Sequence, residues 1–96
     1  MATSITQIED QERGLTVLRV EGEVTLDDAR LLERISRDLK EENAGKDVVI
    51  DLADIDFLDS EGASVLRRLN QEEGVAFEGV HYFVQTVIEQ VEKQNA

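Results

Sequence analysis

The sequence predicts a single α/β domain built on a mixed four-stranded sheet, with helices mainly on one face. Strand-like and helix-like segments alternate in the order β-β-α-β-α-β-α. The 96 residues are 41% apolar, which is enough for one compact core and too little for two, so residues 1–96 are treated as one domain. Two successive strand–helix–strand units imply parallel strands joined by right-handed crossovers.

The first two strands are predicted to pair as an antiparallel hairpin. Residues 5–9 form a weakly apolar strand candidate, and residues 11–14 indicate a turn. Residues 15–21, with the sequence LTVLRVE, place apolar side chains on both faces, and Gly22 is expected to end or bend this strand. Because the first strand is short and weakly apolar, we expect it at the edge of the sheet.

Three helices are predicted from capping residues and apolar stripes. The first begins at Thr25, where Asp28 completes a capping-box pattern, and Gly45 is its expected stop. The second spans about residues 61–71 and the third about residues 81–93. The residues expected to face the core are Leu31, Leu32, Ile35 and Leu39 in the first helix, Ala63, Leu66 and Leu69 in the second, and Val84, Val87, Ile88 and Val91 in the third.

The third strand is predicted to lie at the centre of the sheet. Residues 48–50 are a continuous β-branched run, and a strand that is apolar on both faces is usually central. Apolar residues continue as far as Leu58, and a short last strand is expected at residues 75–78. Helices on one side would leave the other sheet face available to a partner, and this open face with an edge strand makes a homodimer possible.

Acidic residues outnumber basic residues by 22 to 10, which gives a net charge of −12. Such a surface repels nucleic acid and anionic lipid headgroups, so we predict protein partners with basic or apolar contact surfaces. The alternative explanation is that the acid only maintains solubility. The chain has no cysteine, which excludes disulfides and thiolate metal sites. No apolar run approaches the ~20 residues of a membrane helix and the N-terminus does not resemble a signal peptide, so we expect no membrane insertion and a cytoplasmic location.

The residues Asp59, Ser60, Glu61 and Gly62 stand at the junction of the third strand and the second helix. A serine at this junction lies among unpaired backbone N–H groups, at the positive end of the helix dipole. That position suits a helix cap and also suits a phosphate, and both interpretations of Ser60 remain open.

The sequence offers no catalytic constellation. The carboxylates of Asp56 and Asp59 lack a histidine or a third carboxylate at ligand spacing, so we predict no metal site. The glycines are not spaced as a phosphate-binding loop, and no nucleophile–base pair is recognisable. We therefore expect a protein that is not an enzyme and that carries no cofactor.

The segment VVIDLADIDFLDSEGASVLRRL resembles the signature region of STAS domains, the fold of bacterial anti-sigma factor antagonists and of the cytoplasmic domains of sulfate transporters. The family pattern is an apolar strand ending in Asp-Leu, then an apolar pair, Asp-Ser-Ser-Gly and an apolar helix. Residues 51–52, 57–58 and 59–62 fall in this register, and VEGEVTLDDARLL resembles the preceding strand and helix. The resemblance covers about residues 15–69.

The resemblance implies a partner-switching regulator of transcription. In the sporulation and stress branches of the family, the serine that corresponds to Ser60 is phosphorylated by a partner kinase. The unphosphorylated form binds the anti-sigma factor and frees the sigma factor, and a phosphatase resets the switch. Carried over to this chain, Asp59 and Gly62 shape the turn, and Glu61, which stands where the family usually has a second serine, borders the docking surface.

A second hypothesis follows from the same resemblance. Some small STAS proteins are constitutive docking subunits of transporter ATPases of the lipid-export type and are not phosphorylated. In this alternative Ser60 has no regulatory role, and the chain remains bound to its ATPase.

Overall fold

The computed structural model describes residues 3–42 and 46–94. Its elements follow the predicted order. They are β1 (Ser4–Asp10), β2 (Leu15–Val24), α1 (Leu26–Glu42), β3 (Asp47–Leu58), α2 (Ser60–Glu73), β4 (Ala76–Glu78) and α3 (Tyr82–Gln94). The predicted stop of α1 at Gly45 lies outside the described residues.

The four strands form one mixed sheet in the order β1-β2-β3-β4. β1 is antiparallel to β2, whereas β3 is parallel to both β2 and β4. This arrangement confirms the predicted hairpin, the edge position of β1 and the central position of β3. The two central strands are the most apolar, as expected for strands with neighbours on both sides.

A single hydrophobic core lies between the sheet and the three helices. On the sheet side it contains alternating residues of β2 and β3, and on the helix side it contains the apolar stripes of α1, α2 and α3. Its fully buried large side chains include Leu18, Val20, Ile50 and Leu52 from the strands, and Leu32, Leu66, Leu69, Val84 and Val91 from the helices. Among the described residues, no helix is long and apolar enough to cross a membrane.

The buried stripe of α1 differs from the prediction at three positions. Leu31 was expected to face the core, but it is 39% exposed, whereas Ala29 and Ser36, which were not expected there, are buried. The buried residues Ala29, Leu32 and Leu39 centre the stripe on a helix face that lies about a third of a turn away from Leu31. Hydrophobicity alone therefore assigned Leu31 to the wrong side of the helix.

β2 extends further than the sequence suggests, and β3 ends where the sequence suggests. β2 continues through Gly22 to Val24, so this glycine bends the strand and does not end it. β3 continues to Leu58, and the two strands run side by side to their carboxyl ends. The loops that lead into α1 and α2 therefore leave the sheet at the same edge.

The sheet face opposite the core is partly closed by the chain itself. Val17 and Val49 are register partners on this face, and they are 7% and 4% exposed. Arg13, in the turn between β1 and β2, pairs with Asp10 at 2.7 Å and also with Glu78 on β4. The turn is thus tied across this face to the opposite edge of the sheet, which leaves less apolar surface for a partner than we expected.

Candidate functional site

The candidate site lies at the carboxyl ends of β2 and β3. Val24 and Leu58 are register partners there, and the backbone N–H of Asp59 donates to the carbonyl of Val24 at 3.2 Å. α1 and α2 begin immediately after these strands, so their N-termini lie next to each other. In parallel α/β sheets, binding sites form preferentially at this edge.

Two irregularities shape the end of β3. The register between β2 and β3 shifts twice towards their carboxyl ends, each time with an extra residue in β3. Ile55 and Leu58 therefore both face the core, while Asp56 and Phe57 between them are exposed. Phe57 is 47% exposed, the largest value among the exposed large apolar residues described. Bulges of this kind commonly re-aim side chains next to functional sites.

Asp59 is the N-cap of α2. Its backbone is extended (φ −81°, ψ 164°), and its Oδ1 accepts a hydrogen bond from the N–H of Gly62 at 2.6 Å. The Asp59 carbonyl accepts the first helical hydrogen bond, from Ala63 N–H at 2.9 Å. The interpretation of Ser60 as the cap is therefore wrong, because the carboxylate one residue earlier already accepts from the first turn.

Ser60 is the first residue of α2 and is exposed. Within residues 3–42 and 46–94, no group forms a hydrogen bond with its hydroxyl; only its carbonyl is engaged, by Ser64 Oγ at 3.1 Å. The N–H groups of Ser60 and Glu61 are also without an acceptor in this part of the chain. An exposed hydroxyl beside free N–H donors, at the positive end of a helix dipole, can accept and hold a phosphoryl group.

Gly62 is buried where α2 approaches the start of α1. A Cβ atom at this position would lie 2.8 Å from Asp59 Oδ1 and 3.1 Å from the carbonyl oxygen of Thr25. Glycine is therefore required for both the cap and the close helix approach. The prediction that Asp59 and Gly62 shape the turn has this contact as its physical basis.

The start of α1 supports the same site through a capping box. The backbone N–H of Thr25 donates to Asp28 Oδ2 at 3.0 Å, as the predicted capping box requires. The hydroxyl of Thr25, which was expected to cap the helix, donates to the same oxygen at 3.0 Å. Burial opposes ionisation of Asp28, but the hydrogen bonds from Thr25 and Thr3 together outweigh it and hold the pKa of this carboxyl below its usual value. These hydrogen bonds therefore hold the N-terminus of α1 in one conformation beside the Asp59–Gly62 turn.

The surroundings of the turn are acidic. The strand ends and helix starts at this edge carry Glu21, Glu23, Asp27, Asp54, Asp56, Asp59 and Glu61. Arg19 neutralises one of them, since its Nε lies 3.1 Å from Asp54 Oδ2. Within the described ranges, no group of three or more His, Cys, Asp or Glu residues is arranged to hold a metal ion. The carboxylate of Asp59 is engaged in the helix cap.

Sequence reasoning identified the turn but missed two of its neighbours. Thr25 was recognised only as a cap of α1, and its contact with Gly62 depends on how the two helices pack. Phe57 was assigned to an apolar pair, and its exposure follows from the register shift in β3. Neither feature has a local sequence signal.

Comparisons with known proteins agree with the fold. The sequence model of the family described as Mlab, STAS domain, matches residues 8–92. No curated protein matches the chain. A crystal structure of an uncharacterised protein of the DUF3478 family from Shewanella loihica PV-4, described as having a SpoIIAA-like fold, superposes with a TM-score of 0.54 at 20% sequence identity. The superposition covers 98% of this chain and 79% of that chain, and at this identity the likeness is one of fold.

Proposed function

Because the chain belongs to the STAS domain family, we propose that it is a non-enzymatic regulatory module that binds a protein partner in the manner of an anti-sigma factor antagonist. Phosphorylation of Ser60 controls whether it binds this partner. The proposal places the module in a bacterial cytoplasm, where the unmodified form holds an anti-sigma factor of the serine-kinase type and thereby permits transcription by the freed sigma factor.

The single observation that carries this proposal is that Asp59, and not Ser60, caps the start of α2. Asp59 accepts the hydrogen bond from Gly62, so the hydroxyl of Ser60 is exposed and unused by the fold. A residue that serves only as a cap would have its oxygen engaged with the first turn. Ser60 can therefore be modified without removing an interaction that stabilises the helix.

The modification is an ordinary phosphoryl transfer from a partner kinase. Ser60 Oγ attacks the γ-phosphorus of ATP, the bond to the β-phosphate oxygen breaks, ADP leaves, and the hydroxyl proton passes to the base of the kinase. The product carries about −1.5 to −2 additional charge at neutral pH and three strong acceptor oxygens. The nearby N–H groups of Ser60 and Glu61 are suitable donors for them.

The effect of phosphorylation should fall on docking and not on folding. The helix N-terminus tolerates an anion, whereas the partner would meet a bulky dianion between Asp59 and Glu61, where it previously met a small neutral hydroxyl. Repulsion among these three anions also adds to the free-energy cost of modification.

The alternative is a constitutive docking subunit of a transporter ATPase. It is supported by Glu61, since a fixed carboxylate stands where the family usually has a second serine. In this alternative the exposed surface around Phe57 and the turn binds the ATPase permanently, and the state of Ser60 is irrelevant.

Phosphate incorporation distinguishes the two functions. The wild-type chain, Ser60→Ala and Ser64→Ala would be incubated with labelled ATP and a native lysate of the source cell. We expect label in the wild type and in Ser64→Ala, which alters an exposed serine one turn further along α2, and none in Ser60→Ala. Absence of label from all three chains, together with stable co-purification of an ATPase, would favour the docking subunit.

A further inference from the structure

We propose that the exposed face of α1 is a second docking surface, which binds an acidic segment of a partner protein. We name this surface the α1 arginine stripe and define it by Asp27, Arg30, Leu31 and Arg34. The segment that fits it presents an apolar side chain between carboxylates. The proposal does not depend on phosphorylation of Ser60.

The stripe is one continuous helix face. Its residues follow the spacing i, i+3, i+4, i+7, which places them on one side of a helix. All four are exposed, and together they line a shallow groove of about 220 Å³. The face that α1 turns towards the core, which includes Leu32 and Leu39, lies on a different side of the helix.

Among the described residues, the two arginines of the stripe are exceptional because neither lies within ion-pair distance of a carboxylate. The chain has seven arginines. Five of them form ion pairs with acidic residues, namely Arg13, Arg19, Arg37, Arg67 and Arg68. Arg30 and Arg34 form none with any residue in the described ranges, although acids outnumber bases by 22 to 10. Their guanidinium groups are therefore available to external carboxylates, which they can bind in a bidentate manner.

Leu31 gives the stripe an apolar centre between these cations. It is 39% exposed, and it is one of the few large apolar residues on the surface of the described chain. A leucine flanked by two free guanidinium groups is complementary to an apolar side chain flanked by acids. Burial of the leucine would supply contact area, and the arginines would fix the register.

The charge distribution favours a local acidic segment over the other occupants. A second copy of the chain or an anionic membrane would face the whole surface, whose net charge is −12, and both would be repelled. A short segment contacts only the stripe, and charges beyond about one Debye length, ~8–10 Å, are largely screened. Within the stripe, the two cations of Arg30 and Arg34 outnumber the single carboxylate of Asp27.

The stripe begins beside the Asp59–Gly62 turn. Thr25, whose carbonyl abuts Gly62, precedes α1, and Leu31 lies about 9 Å further along the helix axis. One partner could cover both surfaces. The stripe would then supply affinity that Ser60 does not control.

The test uses a synthetic peptide of about 15 residues, four helical turns, in which leucines are flanked by glutamates three and four residues away. A matched peptide carries glutamine at each glutamate position. Binding to the isotope-labelled full chain is followed by amide chemical shifts, with and without Arg30→Gln/Arg34→Gln. We expect the largest shifts at residues 27–34, and at least tenfold weaker binding, about 1.4 kcal/mol, for the glutamine peptide and for the double variant.

A matched control separates the stripe from general charge effects. The variant Lys46→Gln/Lys93→Gln also removes two positive charges, but at positions outside the stripe. It should bind the acidic peptide with the same affinity as the wild type. Equal loss in both double variants, or shifts distributed away from residues 27–34, would overturn the proposal. So would tighter, arginine-dependent binding to phosphatidylglycerol vesicles than to the peptide, or self-association of the chain that Leu31→Ala abolishes. Failure of Ser60 to be phosphorylated would leave these measurements unaffected.

Discussion

At the start of α2, two neighbouring residues have separate tasks. The carboxylate of Asp59 accepts a hydrogen bond from Gly62 N–H at 2.6 Å. The hydroxyl of Ser60 forms no hydrogen bond with any of the described residues. A cap oxygen stabilises a helix by about 1 kcal/mol, whereas an exposed hydroxyl at the first helical position contributes little. Stability and the proposed regulation should therefore respond to substitutions at different, adjacent positions.

This separation predicts different costs for two alanine substitutions. Asp59→Ala removes the cap and should lower the free energy of unfolding by about 1 kcal/mol. Ser60→Ala should change it by less than about 0.5 kcal/mol. Urea unfolding measures both, and Asp59→Asn, which keeps a capping oxygen, is the control. A larger loss of unfolding free energy for Ser60→Ala than for Asp59→Ala would show that the serine is the cap.

Gly62 is the second residue-scale test. An added methyl group would lie 2.8 Å from Asp59 Oδ1 and 3.1 Å from the Thr25 carbonyl oxygen, so either the cap or the approach of α1 must shift. We expect Gly62→Ala to destabilise by about 1–2 kcal/mol, despite the better helix propensity of alanine. Ser64→Ala, on the exposed side of the same helix, should be nearly neutral. An unchanged urea midpoint for Gly62→Ala would show that the contact is not tight.

At the scale of elements, α1 and α2 are aligned by ion pairs across their shared edge. Arg37 contacts both carboxylate oxygens of Glu73 at 2.7 and 3.0 Å, and Arg68 contacts Glu33 at 2.7 Å. The hydrogen bonds from Arg37 hold the pKa of the Glu73 carboxyl below its usual value. Exposed pairs of this kind contribute little individually, so apolar packing supplies most of the stability of this interface.

Ser36 interrupts that apolar packing. It is buried in α1, and its Oγ has no hydrogen-bond partner among residues 3–42 and 46–94. A buried hydroxyl without a partner costs free energy, so Ser36→Ala should raise the free energy of unfolding by about 1 kcal/mol. Ser64→Ala is again the matched control, because Ser64 is exposed. A loss of stability in Ser36→Ala would indicate that the hydroxyl has a partner after all.

The capping box of α1 predicts a pH dependence. The pKa of Asp28 is lowered in the folded state, so its contribution is present above the ordinary carboxyl value, about 3.9, and is lost as the pH falls through the folded value. Asp28→Asn should therefore cost about 1 kcal/mol at pH 7 and progressively less below about pH 4. Urea unfolding of both chains across this range measures the difference. A difference that persists at the lowest pH would mean that ionisation of Asp28 is not the cause.

Element order, strand pairing and the site turn were predictable because each has a local signal. Apolar periodicity marked the helices, the β-branched run marked β3, and Thr25 with Asp28 marked the start of α1. The exceptions depend on tertiary contacts. The exposure of Leu31 and the exposure of Phe57 are decided by how β3 ends and how the helices pack.

On the scale of the whole molecule, charge and topology work together at one edge of the sheet. The net charge of −12 gives the chain a negative field that attracts partners with basic surfaces from a distance. The parallel strands bring both helix starts to the edge that carries Ser60 and the exposed Phe57. A phosphoryl group added there would change the charge of an exposed part of the proposed docking surface.

The most direct test compares partner capture by three forms of the full chain: unmodified, carrying phosphoserine at position 60, and Gln71→Glu. The last adds charge at the far end of α2, about 16 Å away along the helix axis. Proteins retained from a native lysate of the source cell would be identified by mass spectrometry, and their affinities then measured.

We predict that the unmodified chain and Gln71→Glu retain an anti-sigma factor of the serine-kinase type, and that phosphoserine at position 60 weakens its binding at least tenfold, about 1.4 kcal/mol. Equal retention of one partner by all three forms would contradict gating by Ser60. If that partner is a transporter ATPase, the chain is a constitutive docking subunit.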